Sequence, residues 1–385
     1  MQNDPSLKVS LFNSRTLTSS DLPSIERCFR FLFYAAVVLL WGASVLNGTI
    51  KALLVAAWVG HLENGIPLKT AYTGLFLLDY PLSVLVAFFF HGTSGRDEGY
   101  SIFLFDLYIT LQLGYLWLYA ESIRPGKKPI WVQNPIYIAL LWQACGGAVA
   151  MPLYFGVYTS WASRIKPAQI MDIHKARALP VTFALGAVAP MLFLMAPTWL
   201  GPEVRSPTTQ QLIIAVFQPS PILASLLTSL VSRASAYLSG AQNITPKIES
   251  HDNEASSWIQ RAYLIGAAAS IVGHFYVLTR IFIAVDSNFV NTTRMYLPFP
   301  ISGPAHVTDV LARGSFLFLK WDNIILGLAN LTWALVLLGR TPTIGIILAF
   351  AMWSIALGPG TVVTIVLYLR ESRLPRAKDE IEKGE

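Results

Sequence analysis

Two short stretches place an acidic side chain among aromatic residues in segments apolar enough to enter a bilayer. Phe316-Leu-Phe-Leu-Lys-Trp-Asp-Asn323 carries Asp322, and Trp117-Leu-Tyr-Ala-Glu-Ser-Ile-Arg124 carries Glu121. A carboxyl group at that depth is costly unless it is paired or protonated, so each is a functional candidate by default. An apolar aromatic surround favours the protonated form, the state a general acid needs. Phe318, four residues before Asp322, shares its helical face, and Trp321 adjoins it in sequence. The bland alternatives stay open. Asp322 would pair with Lys320 or cap its segment, and Glu121 would pair with Arg124 at i+3 near the membrane boundary.

Further titratable groups lie at membrane depth. Asp79 falls in Leu-Leu-Asp-Tyr-Pro81, where the proline frees backbone carbonyls and marks a kink facing protein or a cavity. Its simpler role is to pair with a neighbouring helix. Asp106 and Glu121 share one helix; their separation leaves them about 60° apart in azimuth but roughly 22 Å apart along the axis. They cannot grip one reacting atom between them. Trp117 lies one turn before Glu121 on the same face. His274, in Gly-His-Phe-Tyr276, is a candidate too, although a lone membrane histidine is more often an interhelical hydrogen bonder than a catalyst. Gln112, Gln143 and Gln218 are expected to act mainly as polar glue, with substrate contact as the lesser alternative.

These groups need elements to position them, and composition says what kind. The 385 residues are 54% hydrophobic and 13% charged. Soluble domains run at roughly 25% charged residues, so the deficit points to a polytopic membrane protein. The pI of about 9.2 and the net charge of +6 do not indicate nucleic acid, because the basic residues are scattered between apolar runs. Apolar stretches at 31–50 (resuming to 59), 68–91, 100–121, 130–158, 178–200, 211–231, 258–285, 315–338 and 343–369 predict an all-α transmembrane bundle of about eight or nine spans, at about 20 residues per span. Residues 1–30 form a polar tail, 31–370 a single transmembrane domain and 371–385 a charged tail. Both tails are basic, which places both in the cytoplasm and asks for an even number of spans. No secretory signal peptide is apparent before Phe31, so targeting falls to the first span. The endoplasmic reticulum is the expected location.

Several chemistries lack their usual residues. No Asp-x-x-Asp or Asp-Asp-x-x-Asp cluster holds magnesium diphosphate, no histidine-rich box offers a di-iron site, and there is no P-loop or dinucleotide fingerprint. Cys28 and Cys145 are too few and too far apart for a disulfide framework or a zinc site, so no metal is expected. Asn243-Ile-Thr245 and Asn291-Thr-Thr293 match the glycosylation sequon, which is short and common. What remains is chemistry that needs only a proton and a shaped apolar cavity, or no chemistry.

The Glu-Ser-Ile-Arg-Pro-Gly run at 121–126 and the Phe-Leu-Lys-Trp-Asp run at 318–322 resemble the integral-membrane terpene cyclases of fungal meroterpenoid pathways, in particular the larger ascochlorin and ascofuranone type. The resemblance extends loosely over most of the chain. It implies proton-initiated cyclisation of a farnesyl chain attached to an aromatic or polar head, with no metal or redox cofactor. It puts the proton-donor role on Asp322 and Glu121 without deciding which protonates and which orients. Asp79, Asp106, Trp117, Arg124, His274, Tyr276, Phe318 and Trp321 are the expected substrate contacts. The alternative is a proton-coupled small-molecule transporter, in which the same acids and His274 line a path. The proline-bearing spans do not divide into two matching halves, as an inverted-repeat transporter's would.

Overall fold

A computed structural model describes residues 22–124, 126–163, 171–241, 248–283, 294–298, 309–339 and 343–372. Among them every regular element is helical, apart from an isolated bridge between His61 and Pro67. Both sequons, most of the N-terminal tail and nearly all of the C-terminal tail lie outside the described residues.

The chain begins with α1 (Leu22–Leu46), which carries a π-helical turn at Val37–Gly42, and α2 (Thr49–Val59). Gly48, at φ +83°, makes the turn between them. Helix α3 (Phe76–Thr93) leads to α4 (Glu98–Ile123), whose start is fixed by the Asp97 carboxylate accepting the N–H of Tyr100 at 2.9 Å. Every residue of α4 from Tyr100 to Glu121 is buried, so this helix has no polar face and forms the axis of the bundle. Helices α5 (Pro135–Cys145) and α6 (Gly147–Ala162) follow, then α7 (Ile173–Leu200), α8 (Pro207–Phe217) and α9 (Ser220–Ala241). Last come α10 (Ile248–Ile283), α11 (Val310–Leu337), α12 (Ile344–Leu357) and α13 (Pro359–Glu371). Helices α3, α7, α10 and α13 pack around α4, while α11 packs against α1, α6 and α13.

Among the described residues six helices are long and apolar enough to cross a membrane, or seven if α12 and α13 make one broken span. This is fewer than the eight or nine stretches predicted from hydrophobicity, and the reason is local. The stretch 130–158 breaks at Gly146, whose φ of +96° and ψ of 150° suit glycine alone. The stretch 211–231 breaks at Gln218-Pro219, because proline cannot supply the next helical N–H, which shifts its span into α9 without removing it from the count. The stretch 343–369 bends by 114° at Gly358-Pro359. Helix α11 is long enough at 28 residues, but Arg313, Lys320 and Asp322 lower its apolar character.

Candidate active site

Asp322 sits in the middle of α11 and is 2% exposed. Its Oδ1 accepts the N–H of Ala148 at 2.7 Å, with the N–H of Gly147 beside it. The first turn of a helix has free N–H groups, and those of α6 are filled here by a carboxyl from a different helix. Gly146 makes this approach possible. A Cβ there would lie 3.0 Å from Asp322 Oδ1 and 3.3 Å from the Phe318 ring. Lys320 is not the partner of Asp322. Its ammonium lies 4.0 Å from the centroid of Phe316 and donates to the carbonyl of Arg294.

Asp322 forms part of the wall of an apolar chamber with about 960 Å³ of empty space, counting its open mouth. The wall is built from α1, α2, α3, α4, α5 and α11. Aromatic rings dominate the part nearest the acid. Trp41 and Phe88 stand edge-on to Phe318, with centroids at 5.7 and 5.3 Å. Tyr108 and Trp142 extend the wall, and Gln143 is its amide. Trp41 Nε1 also donates to the Cys145 carbonyl at 3.0 Å, which ties α1 to the break beside Asp322. The chamber therefore sets one carboxyl among aromatic rings, a class of group able to stabilise positive charge.

Glu121 is placed differently. It is fully buried, and Arg370 Nη1 reaches its Oε1 at 2.8 Å while Arg124 Nε reaches its Oε2 at 3.3 Å. Tyr158 also donates to it, and Arg124 continues the network to Glu371. The carboxylate is thus committed to two guanidiniums and a phenol, at the far end of α4 from the chamber. Trp117, one turn earlier, donates from Nε1 to Thr364 Oγ1 at 2.9 Å and stacks obliquely near Trp333.

The remaining candidates lie in separate places. Asp106 Oδ1 is 2.8 Å from His274 Nδ1, and Tyr296 donates to Asp106 Oδ2 at 2.9 Å. His274 Nε2 donates to the Ile355 carbonyl at 3.0 Å, where the α12–α13 bend leaves that oxygen available. Tyr276 accepts from Arg280 at 3.2 Å and donates to Thr198 O at 3.5 Å. Asp79 turns back onto the loop before α3, accepting the N–H of Thr73 at 2.7 Å and of Gly74 at 2.9 Å. Trp321 is half-buried at the edge of the core. Of the ten candidates read from the sequence, Asp322 and Phe318 line the chamber together; Asp79, Asp106, Trp117, Glu121, Arg124, His274, Tyr276 and Trp321 are not among its lining residues.

Sequence reasoning missed Trp41, Phe88, Tyr108 and Trp142 as wall residues and read Gln143 mainly as glue, with substrate contact as its lesser role. The Cys-Gly-Gly run at 145–147 was the available signal, since paired glycines inside an apolar stretch mark a break.

Residues 26–374 match the CtvD domain family. Terpene cyclase DEP1 of Fusarium langsethiae is 26% identical over 357 residues, covering 87% of this chain and 95% of that protein. Terpene cyclase DEP1 of Alternaria brassicicola is 26% identical over 379 residues, 89% and 98% of the two chains. Terpene cyclase ascI of Acremonium egyptiacum is 27% identical over 307 residues, covering 77% and 75%. No solved structure matches the chain.

Proposed function

This chain belongs to the CtvD domain family, and on that premise we propose that it is a multi-pass membrane terpene cyclase that starts its reaction with a proton from Asp322. The observation that carries the proposal is the position of Asp322, a single carboxyl in the wall of an apolar aromatic chamber. The relatives named as terpene cyclases supply the reaction type. The substrate is a farnesyl chain on an aromatic or polar head in meroterpenoid biosynthesis, reached from the endoplasmic reticulum membrane.

In this mechanism Asp322 gives its proton to a terminal epoxide oxygen or alkene carbon. The carbon left electron-poor is attacked by the next double bond, and each ring closure moves the cation along the chain. Loss of a proton, or capture of water, ends the sequence. Trp41, Phe88 and Phe318 support the cationic stages through their rings. The N–H groups at the start of α6 hold the Asp322 carboxylate left behind, as helix N-termini favour negative charge. Glu121 serves as a structural ion rather than as a second acid, because two guanidiniums already occupy it.

The test is conversion of an epoxyfarnesyl phenol, and of its non-epoxidised parent, by microsomes carrying the protein. Wild-type chain should give cyclised product, and Asp322→Asn at matched expression should lower turnover by at least ~100-fold, the scale of general-acid catalysis. Cyclisation that survives Asp322→Asn would discard this acid. Absence of product from wild type with both compounds would favour a transport role.

A further inference from the structure

We propose that Gln143 is a specificity-determining residue that reads a hydroxyl group on the polar end of the substrate, with Gln218 as the residue that positions it. The inference rests on the chamber being the substrate site and adds a recognised group to it.

The argument begins at a helix end. Pro219 stops α8, and the backbone N–H of Gln218 turns to the Ala215 carbonyl at 3.3 Å. The Ile214 carbonyl, which that N–H would have met in a continuing helix, is left available. The side chain of Gln218 takes it, with Nε2 to Ile214 O at 3.1 Å. A carbonyl only accepts, so the nitrogen of this amide must face Ile214 and its oxygen must face the other way. That oxygen meets Gln143 Nε2 at 3.1 Å. The direction of the whole chain is therefore fixed from the backbone outward. Gln143 must donate to Gln218, which leaves Gln143 Oε1 as the acceptor of the pair.

Gln143 is also a wall residue of the chamber that contains Asp322. Among the described residues no donor meets its Oε1. Gln143 is half-buried, and an amide oxygen that a ligand covers in an apolar wall is a poor neighbour for hydrocarbon and a good one for a hydroxyl, because an acceptor so covered and left unmet is costly. A ligand carrying an alcohol or phenol satisfies it. A ligand with the same shape but no donor leaves it unmet, which is how such sites discriminate.

Binding can be followed without turnover, since Trp41 and Trp142 lie in the same wall and report occupancy by fluorescence. The probes are a farnesyl phenol and its O-methyl ether, titrated into detergent-purified full-length protein. Wild type should prefer the phenol by roughly 10- to 100-fold in Kd, the scale of one buried hydrogen-bond partner. Gln143→Met should bind the ether as wild type does, which shows an intact chamber, and bind the phenol no better than the ether. Gln218→Leu should lower the preference while keeping affinity for the ether. A preference that persists in Gln143→Met overturns the assignment, as does equal binding of both probes by wild type. Absence of binding of both probes by wild type overturns it as well. Turnover lost in Asp322→Asn with the binding preference unchanged would show the two roles to be separate.

Discussion

Glu121 and Arg370 are 249 residues apart in the chain and meet at 2.8 Å, with the glutamate fully buried. The contact joins the end of the central helix α4 to the last helix α13. It belongs to a network in which Arg124 also contacts both Glu121 and Glu371. Removing one ion from such a network leaves an uncompensated charge in the interior, which is where its energetic weight lies.

Glu121→Gln is therefore expected to destabilise the fold by about 3–5 kcal/mol. Its kcat per folded molecule should fall by less than the ~100-fold that loss of a general acid costs. Thermal unfolding in detergent, beside turnover normalised to folded protein, separates the two effects. The double variant Glu121→Leu with Arg370→Leu should recover part of the lost stability, because it removes one charge of each sign.

Gly146→Ala is expected to lower both stability and turnover. The backbone there is in a glycine-only region, so the substitution costs about 1–3 kcal/mol in strain. The added Cβ would press on Asp322 Oδ1 at 3.0 Å. A fall in kcat with KM little changed would follow displacement of the carboxyl, and an unchanged kcat would show that the acid tolerates the shift.

Asp106 and His274 should behave as one unit. Their contact at 2.8 Å is closed at one end by Tyr296 and at the other by the Ile355 carbonyl. Asp106→Asn and His274→Asn should each lower the unfolding midpoint, and the double variant should cost less than their sum, with coupling of about 0.5–3 kcal/mol. Additive losses would show the contact to carry no weight.

Lys128 gives a pH dependence of known sign. It lies in the loop after α4, where burial first and the nearby positive charge of Lys175 second push its pKa down to about 8. In the unfolded chain the value is near 10.4. Between about pH 8 and 10.4 the unfolded state binds the extra proton, so the contribution to stability rises with pH and is flat below that window. Lys128→Met should flatten the slope of unfolding midpoint against pH.

Asp322 and Phe318 were legible in the sequence because helical periodicity alone puts residues four apart on one face. Both line the chamber. What periodicity does not carry is which helices come to meet that face. Trp41, Phe88 and Gln143 arrive from α1, α3 and α5, and their convergence depends on the break at Gly146 and on close tertiary packing. Glu121 shows the converse. Its pairing with Arg124 at i+3 was visible from spacing, but Arg370 and Tyr158, its contacts on other elements, depend on the folded arrangement of helices. The difference between the eight or nine apolar stretches and the six or seven long helices among the described residues has a related origin, since a hydropathy window sees an apolar run and not the glycine or proline that breaks it.

The carboxyl of Asp322 is carried by α11, and the N–H groups that hold its oxygen are carried by α6. Neither helix owns the complete acid. In the proposed mechanism, the readiness of the proton to leave is then a property of the distance between two helices, set by every residue that packs along their contact. If Asp322 is the proposed proton donor, a chain descending from this one retunes that chemistry toward a more or less reactive double bond by sliding α6 against α11. The carboxyl itself need never change.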